Sequence, residues 1–129
     1  MSRDVVVPAS QKAAYDNFHF AAGVRAGGLL LCSGQIGTGA GGQVPEDAEE
    51  EFHNAWKSVG AVLEEAGLGF DSIVEYTTYH VDMQSHLGAF MKVRDQYLSE
   101  PWPAWTAIGT TGLAIPGARV EVRVTANAS

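Results

Sequence analysis

The chain has 129 residues, 46% of them hydrophobic and 18% charged, which suits one packed core and is short for two, so a single domain over 1–129 is expected. A formal net charge of −7, with eight scattered Lys and Arg residues and no basic run, argues against a nucleic-acid partner. Met1–Pro8 carries no apolar stretch of signal-peptide length and the apolar run 29–32 is too short to cross a bilayer, so a cytoplasmic protein without a membrane partner is expected.

Two apolar-rich runs, 18–25 and 29–36, flank Ala26-Gly27-Gly28, whose glycines supply the positive φ angles of a tight hairpin. Cys32 is the only cysteine, so no intrachain disulfide can form, and its place in an apolar run reads as a small core residue. The loop 37–42 formally matches G-x-G-x-x-G. A dinucleotide site is rejected there because Gln43-Val44-Pro45 separates the glycines from the next helix, whose first turns carry Glu46, Asp47, Glu49, Glu50 and Glu51 where a pyrophosphate would sit. That helix is predicted over 46–66 from the spacing of Ala48, Phe52, Ala55, Val59, Val62, Leu63 and Ala66, with Gly67 as its stop.

A β-branched and aromatic run predicts a strand over 73–82, followed by a second helix over 85–98 capped by Ser85. Past Pro101 and Pro103, strands are predicted over 106–111 and 118–126, the latter from Val120, Val122 and Val124 alternating with Arg119, Glu121, Arg123 and Thr125. The expected order is ββαβαββ, an α+β fold. Two helices cover one face of such a sheet, so the other, expected to carry Thr78, His80, Glu121 and Arg123, should be buried by further subunits.

Four residues stand out chemically. Burial on the uncovered face would raise the pKa of Glu121 and suit it to proton transfer; a salt bridge with Arg119 or Arg123, or a solvated edge position, is the alternative. Trp105, held by the stiff Pro101-Trp102-Pro103-Ala104 turn, reads either as a pocket wall or as a core or subunit-contact aromatic. His19, His53, His80 and His86 show no zinc-type spacing, so no metal site is expected and His80 reads as a hydrogen-bonded structural residue. Ser33 lacks a nucleophile elbow and reads as a hydrogen-bonding residue.

From about Phe18 to Ala126 the sequence resembles the Rid family, also called the YjgF or L-PSP endoribonuclease-like family. Four landmarks carry the likeness: the segment 26–36 (AGGLLLCSGQI), the helix end 61–67 followed by 71–82, Pro103-Ala104-Trp105-Thr106, and Val120-Glu121-Val122. The resemblance implies a chorismate-mutase-like fold, with two helices on a six-stranded mixed sheet, assembled as a homotrimeric barrel with a small-molecule pocket at each subunit interface. It also implies cofactor-free hydrolysis of reactive enamines and imines to keto acids and ammonia. In such enzymes an Arg grips the substrate carboxylate, a Tyr and a Ser line the pocket, and a Glu positions or activates water. Ser33 and Glu121 match the Ser and Glu, whereas Phe20, Trp105 and Ala107 stand where the family has Tyr, Arg and Cys. Losing the Arg removes a forked, charge-assisted contact, so a simple 2-imino acid should bind poorly.

The expected site therefore has Glu121 as base, with Ser33 and His80 as further acid–base or hydrogen-bonding groups. Phe20, Met91 and Trp105 form an apolar wall, and backbone N–H groups near Gly34 and Ala107 stabilise developing charge. A non-catalytic trimer that binds a metabolite or protein in the same clefts is the competing expectation. Ribonuclease activity is disfavoured by the acidic balance.

Overall fold

The computed structural model describes residues 2–129; Met1 lies outside the described residues. Strands β2 (Gly23–Ala26) and β3 (Leu29–Cys32) pair antiparallel, with Ala26 opposite Leu29. Gly27 and Gly28, at φ 58° and 78°, make the two-residue turn whose twist matches its flanking strands. Beside this hairpin lie β1 (Asp4–Val6) on the β2 edge and β7 (Val120–Asn127) on the β3 edge. The sheet continues with β5 (Ile73–Val81) and β6 (Ala104–Thr110), while the short β4 (Gln35–Ile36) also pairs with β7, giving seven strands in all. Only β5 and β6 run parallel, linked by a crossover through helix α3 (Leu87–Arg94).

The mixed α+β sheet agrees with the expected class, but its seven strands are two more than the order ββαβαββ and one more than the resemblance implies, and there is one more helix. β1 is three residues long, too short to show alternation. Helix α1 (Lys12–Phe18) buries none of its residues and so offers no amphipathic signal; a Lys12–Asp16 ion pair of 2.9 Å supports it from outside. The run read as strand from residue 18 therefore begins with a helix end, His19 in the left-handed region (φ 62°), and strand starts only at Gly23. Likewise α3 ends at Arg94 rather than 98, and Ser85 Oγ donates to Asp82 Oδ2 (2.7 Å) without capping it.

Helix α2 (Ala48–Glu65) lies over the sheet and buries Phe52, Ala55, Trp56, Val59, Val62 and Leu63 against Leu30, Cys32, Val120, Val122 and Val124. Full burial of each large apolar side chain favours the fold by about 1.5–3 kcal/mol before chain entropy opposes it. Trp56, absent from the sequence-derived helical stripe, sits at the middle of this core, stacked on Tyr97 and edge-on to Tyr76. The helix closes as predicted at Gly67 (φ 77°), with Leu68 N–H donating to Leu63 O and Gly67 N–H to Glu64 O. At Gly37 the chain passes so close to α2 that a Cβ would lie 2.9 Å from the Ala55 nitrogen and overlap the Glu51 carbonyl, which requires glycine.

Strand register decides which side chains share a face. Tyr76, Thr78 and His80 lie opposite Val124, Val122 and Val120, on the side covered by helices, whereas Thr77 and Tyr79 lie opposite Arg123 and Glu121 on the uncovered side. Thr78 and His80 are therefore not on the open face, contrary to expectation. They are fully buried, and a core position is possible because each satisfies the other's hydrogen bonds. A bulge at Val74 also interrupts the alternation of β5, so its sequence period misplaces the face. Leu29, Leu31 and Ile108 remain 37–42% exposed on the open face.

Candidate functional site

On the open face, β4 and β7 bring Gly34 beneath Glu121: a Cβ on Gly34 would overlap the Glu121 carboxylate, so only glycine leaves room for it. Glu121 is half-buried and forms no ion pair among the described residues. Loss of hydration pushes its pKa above the ordinary Glu value, and the positive charge of Arg123 partly opposes that rise. Arg119, one of its candidate partners, is instead bound to Glu51; Arg123, the other, donates from Nε to Cys32 O (3.3 Å).

Beside this carboxylate opens a groove of about 780 Å³ whose lining includes Phe20, Ser33 and Gly34 together with Tyr15, His19, Arg3 and Arg123. Ser33 Oγ donates to Ala21 O (2.7 Å) and Ser33 N–H to Ala22 O (2.8 Å), which pins the segment that presents Phe20. The hydroxyl has no base beside it among these contacts. Cys32 also borders the groove, but burial raises its thiol pKa to about 11 and leaves little reactive thiolate.

The remaining sequence-selected residues are on the opposite side. Trp105 and Ala107 pair in register with Tyr76 and Thr78 on the helix-covered face, and half-buried Met91 lies on α3. The Trp105 ring stacks on Tyr76 (5.7 Å, 8°), with the Arg94 guanidinium 5.0 Å from its centroid. Its Nε1–H donates to Thr78 Oγ1 (2.9 Å), which also hydrogen-bonds His80 Nε2 (2.6 Å), and the other ring nitrogen of His80, Nδ1, hydrogen-bonds His86 Nε2 (3.2 Å). Burial, reinforced by neighbouring His86, lowers the His80 pKa to about 4, so this imidazole is neutral at pH 7. His80 and Glu121 consequently do not meet within one chain.

A second groove, of about 390 Å³, lies beyond His86 and is lined by Asp82, Ser85, His86 and Arg119. Next to it Glu51, completely buried, accepts from Arg119 Nη1 (2.6 Å) and from the Arg119 backbone N–H (2.7 Å), tying the start of β7 to α2. No group of three or more His, Cys, Asp or Glu able to hold a metal occurs among the described residues, and no helix is long and apolar enough to cross a membrane.

Residues 11–128 match the family described as Endoribonuclease L-PSP. The chain belongs to this family. The RutC family protein YjgH of Escherichia coli is 34% identical over 127 residues, spanning 98% of this chain and 95% of the relative. A solved structure of protein YjgH superposes with a TM-score of 0.89 at 33% identity, covering 98% of this chain and 96% of that one. The mouse 2-iminobutanoate/2-iminopropanoate deaminase is 31% identical over 99 residues, 75% of this chain and 72% of its own.

Sequence reasoning singled out Glu121, Ser33, Gly34 and Phe20, which the fold brings to one region of the open face. It did not single out the groove residues Tyr15 and His19, because α1 left no periodic signal, nor Arg3 beside the short β1, and it considered Arg123 as a residue of the uncovered face and an ion-pair partner. It also read Glu51 as one of several helix-dipole acids. Its position one residue before Phe52, on the edge of the apolar stripe, was the available sign of burial.

Proposed function

We propose that the protein hydrolyses a reactive imine or enamine in a pocket completed at the interfaces of a homotrimer, with a substrate other than the simplest 2-imino acids. The observation that carries this reading is Glu121: a half-buried carboxylate, raised in pKa, without an ion pair among the described residues, and set over Gly34 beside an open groove. Such a group can take a proton from water as the oxygen adds to the C=N carbon and return a proton to nitrogen as ammonia leaves. The atoms balance as imine plus water giving ketone plus ammonia, and no cofactor enters. Family membership and the named deaminase relative support the reaction class.

Interface completion is favoured because Glu121 and Trp105 lie on opposite faces of one sheet, while Trp105 sits on the edge strand β6. A second chain docking its β6 edge against the open face would bring Phe20 and Glu121 of one subunit to Trp105 and Ala107 of the next, with Met91 behind them. The exposed apolar residues of that face support such docking. Trp105 stands where the resemblance places a carboxylate-gripping Arg, and its single N–H is already given to Thr78, which is why small 2-imino acids are disfavoured.

The commitment of Ser33 and Trp105 to internal hydrogen bonds also fits a second reading, a metabolite-binding trimer without turnover. Imines generated in situ by an amino-acid oxidase, with the keto acid product followed against time, separate the two. Faster product formation with the purified protein is expected; saturable binding with no acceleration for any responsive ligand would overturn the enzymatic reading.

A further inference from the structure

We infer that Arg123 forms an anion-binding subsite for the carboxylate of a substrate that carries a sizeable apolar or aromatic group. This rests on the reading above, in which Glu121 serves the chemistry, and adds where the ligand's charge is held.

The arginines divide cleanly. Arg25, Arg94 and Arg119 are each held by a carboxylate, of Asp4, Asp95 and Glu51 respectively. Among the described residues Arg3 and Arg123 form no ion pair, and these two line the large groove. Among the described residues no Asp or Glu lines that groove, although the chain has 15 acidic residues; the carboxylate of Glu121 lies at its margin over Gly34. The arginines of the lining lower the cost of bringing a carboxylate there.

Arg123 is also oriented. Its Nε–H donates to Cys32 O (3.3 Å), while its two terminal nitrogens have no partner among the described residues and present the fork that matches a carboxylate. Arg123 and Glu121 are two residues apart on one strand and face the same side, so their Cα atoms are separated by roughly 6–7 Å. That span accommodates a carboxylate at one end and, at the other, an adjacent C=N carbon with its attacking water. Phe20, Tyr15, Val24 and Leu31 provide apolar wall, and about 780 Å³ is far more room than a three-carbon substrate uses.

The test measures binding of phenylpyruvate, a stable aromatic keto acid, and of its uncharged analogue phenylacetone by calorimetry, on wild type, Arg123→Gln and Arg123→Lys, each checked for an unchanged melting temperature. Phenylpyruvate should bind wild type, bind Arg123→Gln at least tenfold more weakly, and partly recover in Arg123→Lys; phenylacetone should be insensitive to residue 123. Equal phenylpyruvate affinity in wild type and Arg123→Gln, equal affinity for acid and ketone, or no phenylpyruvate binding at all would overturn the subsite. Arg123-dependent binding without imine turnover would instead remove the enzymatic reading and leave the subsite standing.

Discussion

On the helix-covered face Glu51 receives Arg119 and a backbone N–H, and Trp105, Thr78, His80 and His86 are linked by consecutive hydrogen bonds. On the open face Glu121 has no ion pair among the described residues, and Arg123 uses one of its three guanidinium nitrogens. The polar groups of the first region answer one another, so their cost of burial is offset within the chain; those of the second are left for something outside it. Surroundings, rather than residue type, separate the partnered carboxylate of Glu51 on α2 from the carboxylate of Glu121 on β7.

The comparison breaks most readily at Glu51. Its replacement by Ala leaves Arg119 and a backbone N–H without their acceptor, and removing one member of a buried ion pair typically costs about 3 kcal/mol or more. Urea denaturation should show a loss of that order. A smaller loss, about 2 kcal/mol, is expected for Thr78→Val, which strips the shared partner from Trp105 Nε1 and His80 Nε2. Intrinsic Trp fluorescence of the native protein should change in the same variant.

Acidification gives a graded effect on the same face. The His80 pKa is about 4 in the folded chain against an ordinary value of 6.5, so between these values the unfolded chain binds the proton more readily. Stability from this group is therefore complete above about pH 6.5 and declines as pH falls toward 4. Denaturation midpoints at pH 7, 6 and 5 should fall in that order, and His80→Gln should flatten the trend. Least affected of all should be the stability of Arg123→Gln, within about 0.5 kcal/mol of wild type, because that side chain is exposed and its Nε contact is long. A loss as large as that of Glu51→Ala would mean that the open face is also structural.

Much of the fold was legible in the sequence because α2 and β7 carry long, clean periods and Gly27-Gly28 and Gly67 mark their turns. β1 and α1 were not, since a three-residue strand and a helix with no buried side chain leave no pattern to read. Within the site, Glu121 stood out as a carboxylate in a Val-rich strand, and Phe20, Ser33 and Gly34 followed from the resemblance. The separation of His80 and Trp105 from Glu121 was not legible, because it depends on the register of β5 against β7 and on the Val74 bulge. The cationic groove was hidden for a related reason: Arg3 and Arg123 are 120 positions apart in sequence and meet only through pairings of β1, β2, β3 and β7.

Glu121→Gln, with turnover of in situ imines and denaturation midpoint read on the same preparation, tests the central claim most directly. The account predicts a fall in kcat of about 100-fold or more with stability within about 0.5 kcal/mol of wild type. Undiminished turnover together with a marked loss of stability would contradict it, placing Glu121 with Glu51 among the residues that hold the fold.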